Sequence, residues 1–173
     1  MPAPSLIGIG LEHRIVVGLA ELAVSNNPCA VLTTYSLGSC LGVAIYDPVA
    51  KVGGLLHAML PDSTIDSAKA AAQPGMFLDT GLPALFREAC AMRADKRRLR
   101  IYAVGGAQIM DDNNVFNIGG RNQAALAEFL RRENLHADAQ QVGGHVNRTV
   151  YFSIQTGRVT LKVSGLQNEV ILC

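Results

Sequence analysis

Between Thr34 and Pro61 two short apolar runs, Leu41–Tyr46 and Val52–Leu60, flank the turn-forming Asp47-Pro48. Runs this short, rich in β-branched and aromatic residues and broken by a proline, make a β-hairpin rather than a helix. Direct partners in a hairpin have residue numbers of constant sum. A two- or four-residue loop centred on Pro48-Val49 makes Cys40 and His57 direct cross-strand partners; a loop of Pro48–Lys51 pairs His57 with Gly42 and leaves Cys40 its diagonal neighbour. Either register keeps sulfur and imidazole within reach, because partner Cβ atoms lie roughly 5 Å apart and diagonal ones roughly 7–8 Å. An odd-length loop would put the two on opposite faces. A thiol beside a base is the pair that makes a nucleophile, so function is sought here.

Few function classes survive the composition. With 173 residues, 49% of them apolar and 17% charged, the chain is expected to form one domain with a sizeable core. A net charge of +1 gives no electrostatic reason for nucleic acid or anionic lipid as a partner. No signal-peptide pattern and no membrane-length apolar run occurs, so no membrane insertion is expected. Cys29, Cys40, Cys90 and Cys173 lie far apart with no C-x-x-C spacing, and read as free thiols in a reducing cytoplasm. His13, His136 and His145 have no carboxylate or cysteine at ligand spacing, so no metal site is expected.

Taken in order, residues 1–12 read as a loose lead-in; Arg14–Val17, Glu21–Val24 and Cys29–Leu37 read as strands, the last with Leu32, Thr34 and Ser36 on one face. Pro61 through Gly75 is a polar, small-residue connection, expected to be an exposed loop. Leu82, Leu85, Phe86, Ala89 and Met92 then recur at helical spacing, with Asp79 or Thr80 as cap and Pro83 in the first turn. The basic cluster Arg93–Arg100 reads as the solvated end of that helix. Leu99–Val104 is a strand ended by Gly105-Gly106-Ala107, and Asp111–Asn114 a loop. Asn117 or Gly119-Gly120 opens a second helix with Leu126, Phe129 and Leu130 inward. Gln141–Gly144 closes a strand, and Thr149–Ile154 with Arg158–Val163 form a clean alternating hairpin. Residues 164–173 have no assignment. Many strands with two separate helices give an α+β, layered domain.

By itself Cys40 reads as a small buried hydrophobe, since free cysteine is among the most buried residue types. Three neighbours shift the balance. Gly38-Ser39 lets backbone N–H groups at Ser39 and Cys40 face an oxyanion. His57 could lower the thiol pKa from ~8.5 by forming an ion pair. Thr34 could orient the imidazole. Gly105-Gly106 and Gly119-Gly120 match no phosphate-loop pattern and read first as tight turns.

Leu37-Gly38-Ser39-Cys40, Tyr46-Asp47-Pro48, Gly53-Gly54, His57-Ala58-Met59-Leu60-Pro61, Gly105-Gly106-Ala107, Asn117-Ile118-Gly119-x-Arg121-Asn122, Gly143-Gly144 and Thr156-Gly157-Arg158 together resemble the CheD family of chemoreceptor glutamine deamidases. The likeness spans nearly the whole chain in order. It departs at Asn147-Arg148, where family members often read Gly-x-Arg, and in the tail after Val163. The resemblance implies an α/β/β/α sandwich similar to the catalytic domain of deamidating bacterial toxins. It implies a Cys-His pair with a threonine as third member, falling on Cys40, His57 and Thr34, and no cofactor.

The activity so implied is that of a protein-glutamine glutaminase, which hydrolyses receptor glutamines to glutamate through a thioester and releases ammonia. The implied partners are the cytoplasmic domain of methyl-accepting chemotaxis receptors and the CheC phosphatase, met by a monomer. Two rivals stand beside it: another acyl transfer by the same dyad (transglutamination or peptide hydrolysis), and a non-catalytic receptor- or phosphatase-binding module in which Cys40 is structural. A catalytic Cys40 is expected to alkylate well below pH ~8.5. A glutamine presented on a helix calls for a narrow slot rimmed by small turns, so Gly105, Gly106, Gly119, Arg121 and Asn122 are candidates to line it.

Overall fold

The computed structural model describes residues 12–109 and 115–173; all but Glu12 of the expected lead-in, and the Asp111–Asn114 loop, lie outside the described residues. Among the described residues ten strands form two five-stranded sheets. One has the order β1 (His13–Val16), β3 (Ala30–Leu37), β8 (Arg148–Ser153), β9 (Val159–Val163), β10 (Val170–Ile171). The other runs β2 (Leu22–Ser25), β5 (Val52–Ala58), β4 (Leu41–Asp47), β6 (Arg100–Gly105), β7 (Ala139–Val142). Both are mixed: β1–β3 and β6–β7 pair in parallel, and every other neighbour is antiparallel.

The β4 strand explains the stacking. It is buried at every position, with Leu41, Val43 and Ile45 facing the helices and Ala44 and Tyr46 facing the other sheet. Each such Leu or Ile side chain withdrawn from water contributes about 1.5–3 kcal/mol. Helices α2 (Leu78–Ala91) and α3 (Ile118–Arg132) cover the outer face of this sheet through Leu82, Leu85, Leu126 and Leu130. Between the sheets lie Leu32, Leu37, Val150, Phe152 and Leu161 against Leu55, Tyr102 and Val104. The expected α+β class and stacked sheets are present. Among the described residues the layers run helix, sheet, sheet. The outward face of the β1-containing sheet carries Tyr35 and Tyr151 in edge contact at 6.5 Å, with Arg14 over the Tyr151 ring.

The hairpin loop is Pro48–Lys51, with Asp47 opposite Val52 and Gly42 opposite His57. Asp47 is fully buried, and its carboxylate accepts from the N–H groups of Val49, Ala50 and Asp95 and from the Arg98 guanidinium. Burial opposes ionisation, but Arg98 and those N–H groups hold the carboxyl well below the usual carboxylate range.

Several expectations are corrected. Residues 62–75 are not a plain loop: a 3-10 turn at Ser63–Ile65, helix α1 (Ser67–Ala72) and a 3-10 turn at Pro74–Met76 occupy them, the first two capped by Asp62 and Asp66. Helix α2 starts at Leu78, earlier than either expected cap, and Pro83 lies inside it. Asp79 instead accepts from the Ser63 N–H and hydroxyl, and Thr80 donates to the Pro74 carbonyl, so both side chains tie down the preceding segment. The basic cluster is not a free helix end. Lys96–Arg98 forms a 3-10 turn capped by Asp95; Arg98 pairs with Asp47, and Lys96 with Glu133. Ser36 does not share a face with Leu32 and Thr34, because the β3–β8 register shifts between Thr34 and Leu37 and Ser36 takes a φ of 54°. That bulge turns Leu37 inward. The unassigned tail supplies β10, paired to Thr160 and Leu161.

Candidate active site

Because strand side chains alternate, Gly42 opposite His57 puts Cys40 on the same face as His57, two residues along the hairpin. That face is the one between the sheets, where Cys40 packs half-buried against the apolar cluster. Thr34 reaches the same space from β3 in the opposite sheet. The structure thus gathers Thr34, Cys40 and His57 at one end of the sandwich.

The hydrogen bonds fix the imidazole. Thr34 Oγ1 lies 2.7 Å from the Val17 carbonyl oxygen and 2.7 Å from His57 Nδ1. A carbonyl only accepts, so the hydroxyl proton goes to Val17 and the ring must donate from Nδ1–H. The lone pair is then on Nε2, which is buried and has no hydrogen-bond partner among the described residues. His57 is 4% exposed, and burial pulls its pKa down to about 4. At neutral pH it is an uncharged base with a fixed tautomer.

Burial pushes the Cys40 thiol up, partly offset by its own N–H against the sulfur. The resting pair is therefore neutral thiol and neutral imidazole, not the expected ion pair, and the free enzyme should alkylate faster above pH ~8.5 than below it. The cause is physical: neither group has a charged neighbour to repay desolvation.

Cys40 opens onto a hollow of about 410 Å³. Its described lining comes from the bend before Cys40 (Ser36, Gly38, Ser39), from Ala107, Gln108 and Ile109, and from Phe116, Ile118, Gly119 and Asn147. None of these side chains is charged. Gly119 lines it; Gly105, Gly106, Arg121 and Asn122 do not. Gly105 and Gly106 pack against the Cys40 backbone instead. Gly105 has a φ of 106°, and a side chain there would collide with the Cys40 carbonyl oxygen; the Gly106 N–H donates to that same oxygen at 2.8 Å. Arg121 faces a different hollow, beside Asp62, Asp79 and Glu128. Asn122 is fully buried. Helical phase separates the two, since adjacent residues lie on different faces of α3.

Sequence reasoning missed Ser36, Gln108, Ile109, Phe116, Ile118 and Asn147 as lining residues. Ser36 depends on the bulge and Asn147 on the β3–β8 pairing, in which Leu37 meets Arg148. Only the Gly143-Gly144 and Asn147-Arg148 landmarks pointed to that region.

With this geometry in hand, likeness to known proteins can be set beside it. The family model described as "CheD chemotactic sensory transduction" matches residues 59–163, a stretch that begins just after His57. The "Probable chemoreceptor glutamine deamidase CheD" of Solibacter usitatus is 47% identical over 159 residues, 92% of this chain and 94% of that one. A second such protein, from Syntrophus aciditrophicus, is 46% identical over 87% of this chain and 94% of its own. One from Anaeromyxobacter dehalogenans is 40% identical over 86% and 93%. These matches cover most of the chain, the Cys40–His57 hairpin included, and the chain belongs to the CheD family.

Proposed function

We propose that this chain hydrolyses glutamine side chains of chemotaxis receptors to glutamate, with Cys40 as nucleophile, His57 as general base and acid, and Thr34 holding the ring. The observation that carries it is a hollow whose described lining residues are all uncharged, with a thiol in its wall and a tautomer-fixed imidazole buried nearby. A neutral carboxamide suits such a lining. The glutamate product finds no counter-charge among the described lining residues and is released.

His57 Nε2 takes the Cys40 proton as sulfur attacks the carboxamide carbon. The oxyanion is held by the Cys40 N–H, with the Ser39 N–H beside it. The imidazolium then protonates the departing amine, and ammonia leaves a thioester. The neutral ring next takes a proton from water, hydroxide attacks the thioester, and glutamate departs as the thiol is restored. No step calls on a metal or an organic cofactor. Val115 and Phe116, 72% and 70% exposed, offer an apolar landing for a receptor helix, and Phe116 continues into the hollow. The chain acts as a single-domain monomer in the cytoplasm, where a CheC phosphatase competes for this same rim.

The test is incubation of receptor cytoplasmic fragments with the protein, followed by peptide mass spectrometry and ammonia assay. Glutamine-to-glutamate conversion is expected, lost in Cys40→Ser and in His57→Ala. Amine incorporation would indicate transglutamination and backbone cleavage a peptidase. Tight binding without ammonia would indicate a binding module.

A further inference from the structure

Three successive carbonyls at the nucleophile bend are all engaged from the protein side. Gly38 accepts from the Ala107 N–H and Cys40 from the Gly106 N–H, each at 2.8 Å. Ser39, between them, accepts from Asn122 Nδ2 at 3.0 Å. Only this middle contact depends on a side chain. The other proton of Asn122 Nδ2 goes to the Met59 carbonyl at 2.9 Å. Met59 stands opposite Cys40, one step beyond the last ladder pair, Leu41 with Ala58. Main-chain pairing stops there because the Met59 and Leu60 N–H groups turn to the Met76 carbonyl. Asn122 therefore bridges the two strands where they part, between the cysteine and histidine arms.

The Ser39–Cys40 peptide bond is trans, so the Ser39 carbonyl and the Cys40 N–H point in opposite directions across one rigid plane. Holding the oxygen toward α3 turns that N–H away from the helix, onto the side of the Cys40 sulfur. Neither the Ser39 nor the Cys40 N–H donates to a main-chain carbonyl among the described residues outside the strands. We propose that Asn122 is a positioning residue: it sets the Ser39–Cys40 peptide plane and so aims the Cys40 N–H at the oxyanion. The proposal rests on the deamidase reading above. Asparagine suits the task, with two protons on one uncharged nitrogen and a position of 0% exposure. Aspartate has the same shape and no proton to give.

The experiment compares two reactions of the same sulfur in the wild-type protein, Asn122→Ala and Asn122→Asp. Deamidation of receptor fragments builds an oxyanion; alkylation by iodoacetamide displaces iodide in one step and builds none. Loss of an aimed donor should lower kcat about a hundredfold. KM should stay within about twofold and the alkylation rate should fall far less than kcat, because neither binding nor alkylation builds an oxyanion. An undiminished kcat, or alkylation falling in parallel with kcat, would overturn the proposal and leave Asn122 a fold-supporting residue. Should both variants fail to fold, the wild-type protein decides through its crystal structure with an aldehyde analogue of the glutamine side chain. The hemithioacetal oxygen should sit within hydrogen-bond distance of the Cys40 N–H; an oxygen turned elsewhere overturns the assignment. Failure of the wild-type protein to release ammonia would instead sink the deamidase reading itself.

Discussion

The Thr34 hydroxyl has one proton, and giving it to Val17 is what obliges His57 to donate from Nδ1. Thr34→Val keeps the shape but leaves the Val17 carbonyl and the ring N–H without a partner. It should cost about 1–3 kcal/mol in urea unfolding, and lower kcat about ten- to a hundredfold as the ring loses its tautomer and orientation. Thr34→Ser should restore most of both; an unchanged rate in the valine variant would remove Thr34 from the mechanism. His57 also makes a pH prediction. Its folded pKa of about 4 lies below the ordinary 6.5. The acid limb of kcat/KM should therefore fall near pH 4, since that profile reports the free enzyme. Stability follows the same offset. Below pH 6.5 the unfolded imidazole takes a proton and the folded one does not, so the unfolded chain binds more protons. Stability is then lost as pH falls from 6.5 toward 4, by up to ~3 kcal/mol, and is unaffected by this group above 6.5. Urea titrations of His57→Gln, which cannot take a proton, should lack that slope.

At the scale of elements the hairpin is both a positioning device and a load on its far turn. Asp47 is roughly 17 Å of strand from His57, yet it holds the loop and anchors the Lys96–Arg98 turn to it. Asp47→Ala strands three N–H groups and takes from Arg98 its closer carboxylate, leaving only the 3.4 Å contact to Asp95. Thermal or urea unfolding should show a loss of about 3 kcal/mol, in the range for breaking a buried pair, with activity per folded molecule nearly unchanged. This pair was not legible in the sequence, where Arg98 belonged to a basic cluster and Asp47 to a turn. The Cys40–His57 relation was legible because a strand has a period of two and an even loop preserves it. The β3 bulge was not. No residue in Thr33-Thr34-Tyr35-Ser36 signals it, and the left-handed Ser36 shows only once β8 is alongside. The slot was half legible for a related reason: glycines at turns could be counted, but which turn opens onto the thiol depends on long-range pairing. Arg121 and Asn122 stood together in the sequence, and one helical step sends the first to another hollow and the second beneath the bend.

For the whole molecule, a net charge of +1 and a hollow with no charged side chain among its described lining residues predict recognition by shape and apolar contact. KM for receptor fragments should change less than about twofold between roughly 50 and 300 mM salt, since screening acts on charged partners. A steep dependence would mean that surface charges away from the hollow steer docking. The order of strands carries a consequence in time. Thr34, Cys40 and His57 all lie in the first third of the chain, but β3 is flanked by β8, and Asn147 closes the hollow from just ahead of that strand. At a ribosome's pace of about 5–20 residues per second, those walls follow the cysteine by something on the order of ten seconds. A chain stopped after Arg132 would hold all three proposed reacting groups and should release no ammonia from receptor fragments. The thiol is made early and armed late, and a half-finished enzyme cannot edit what lies beside it.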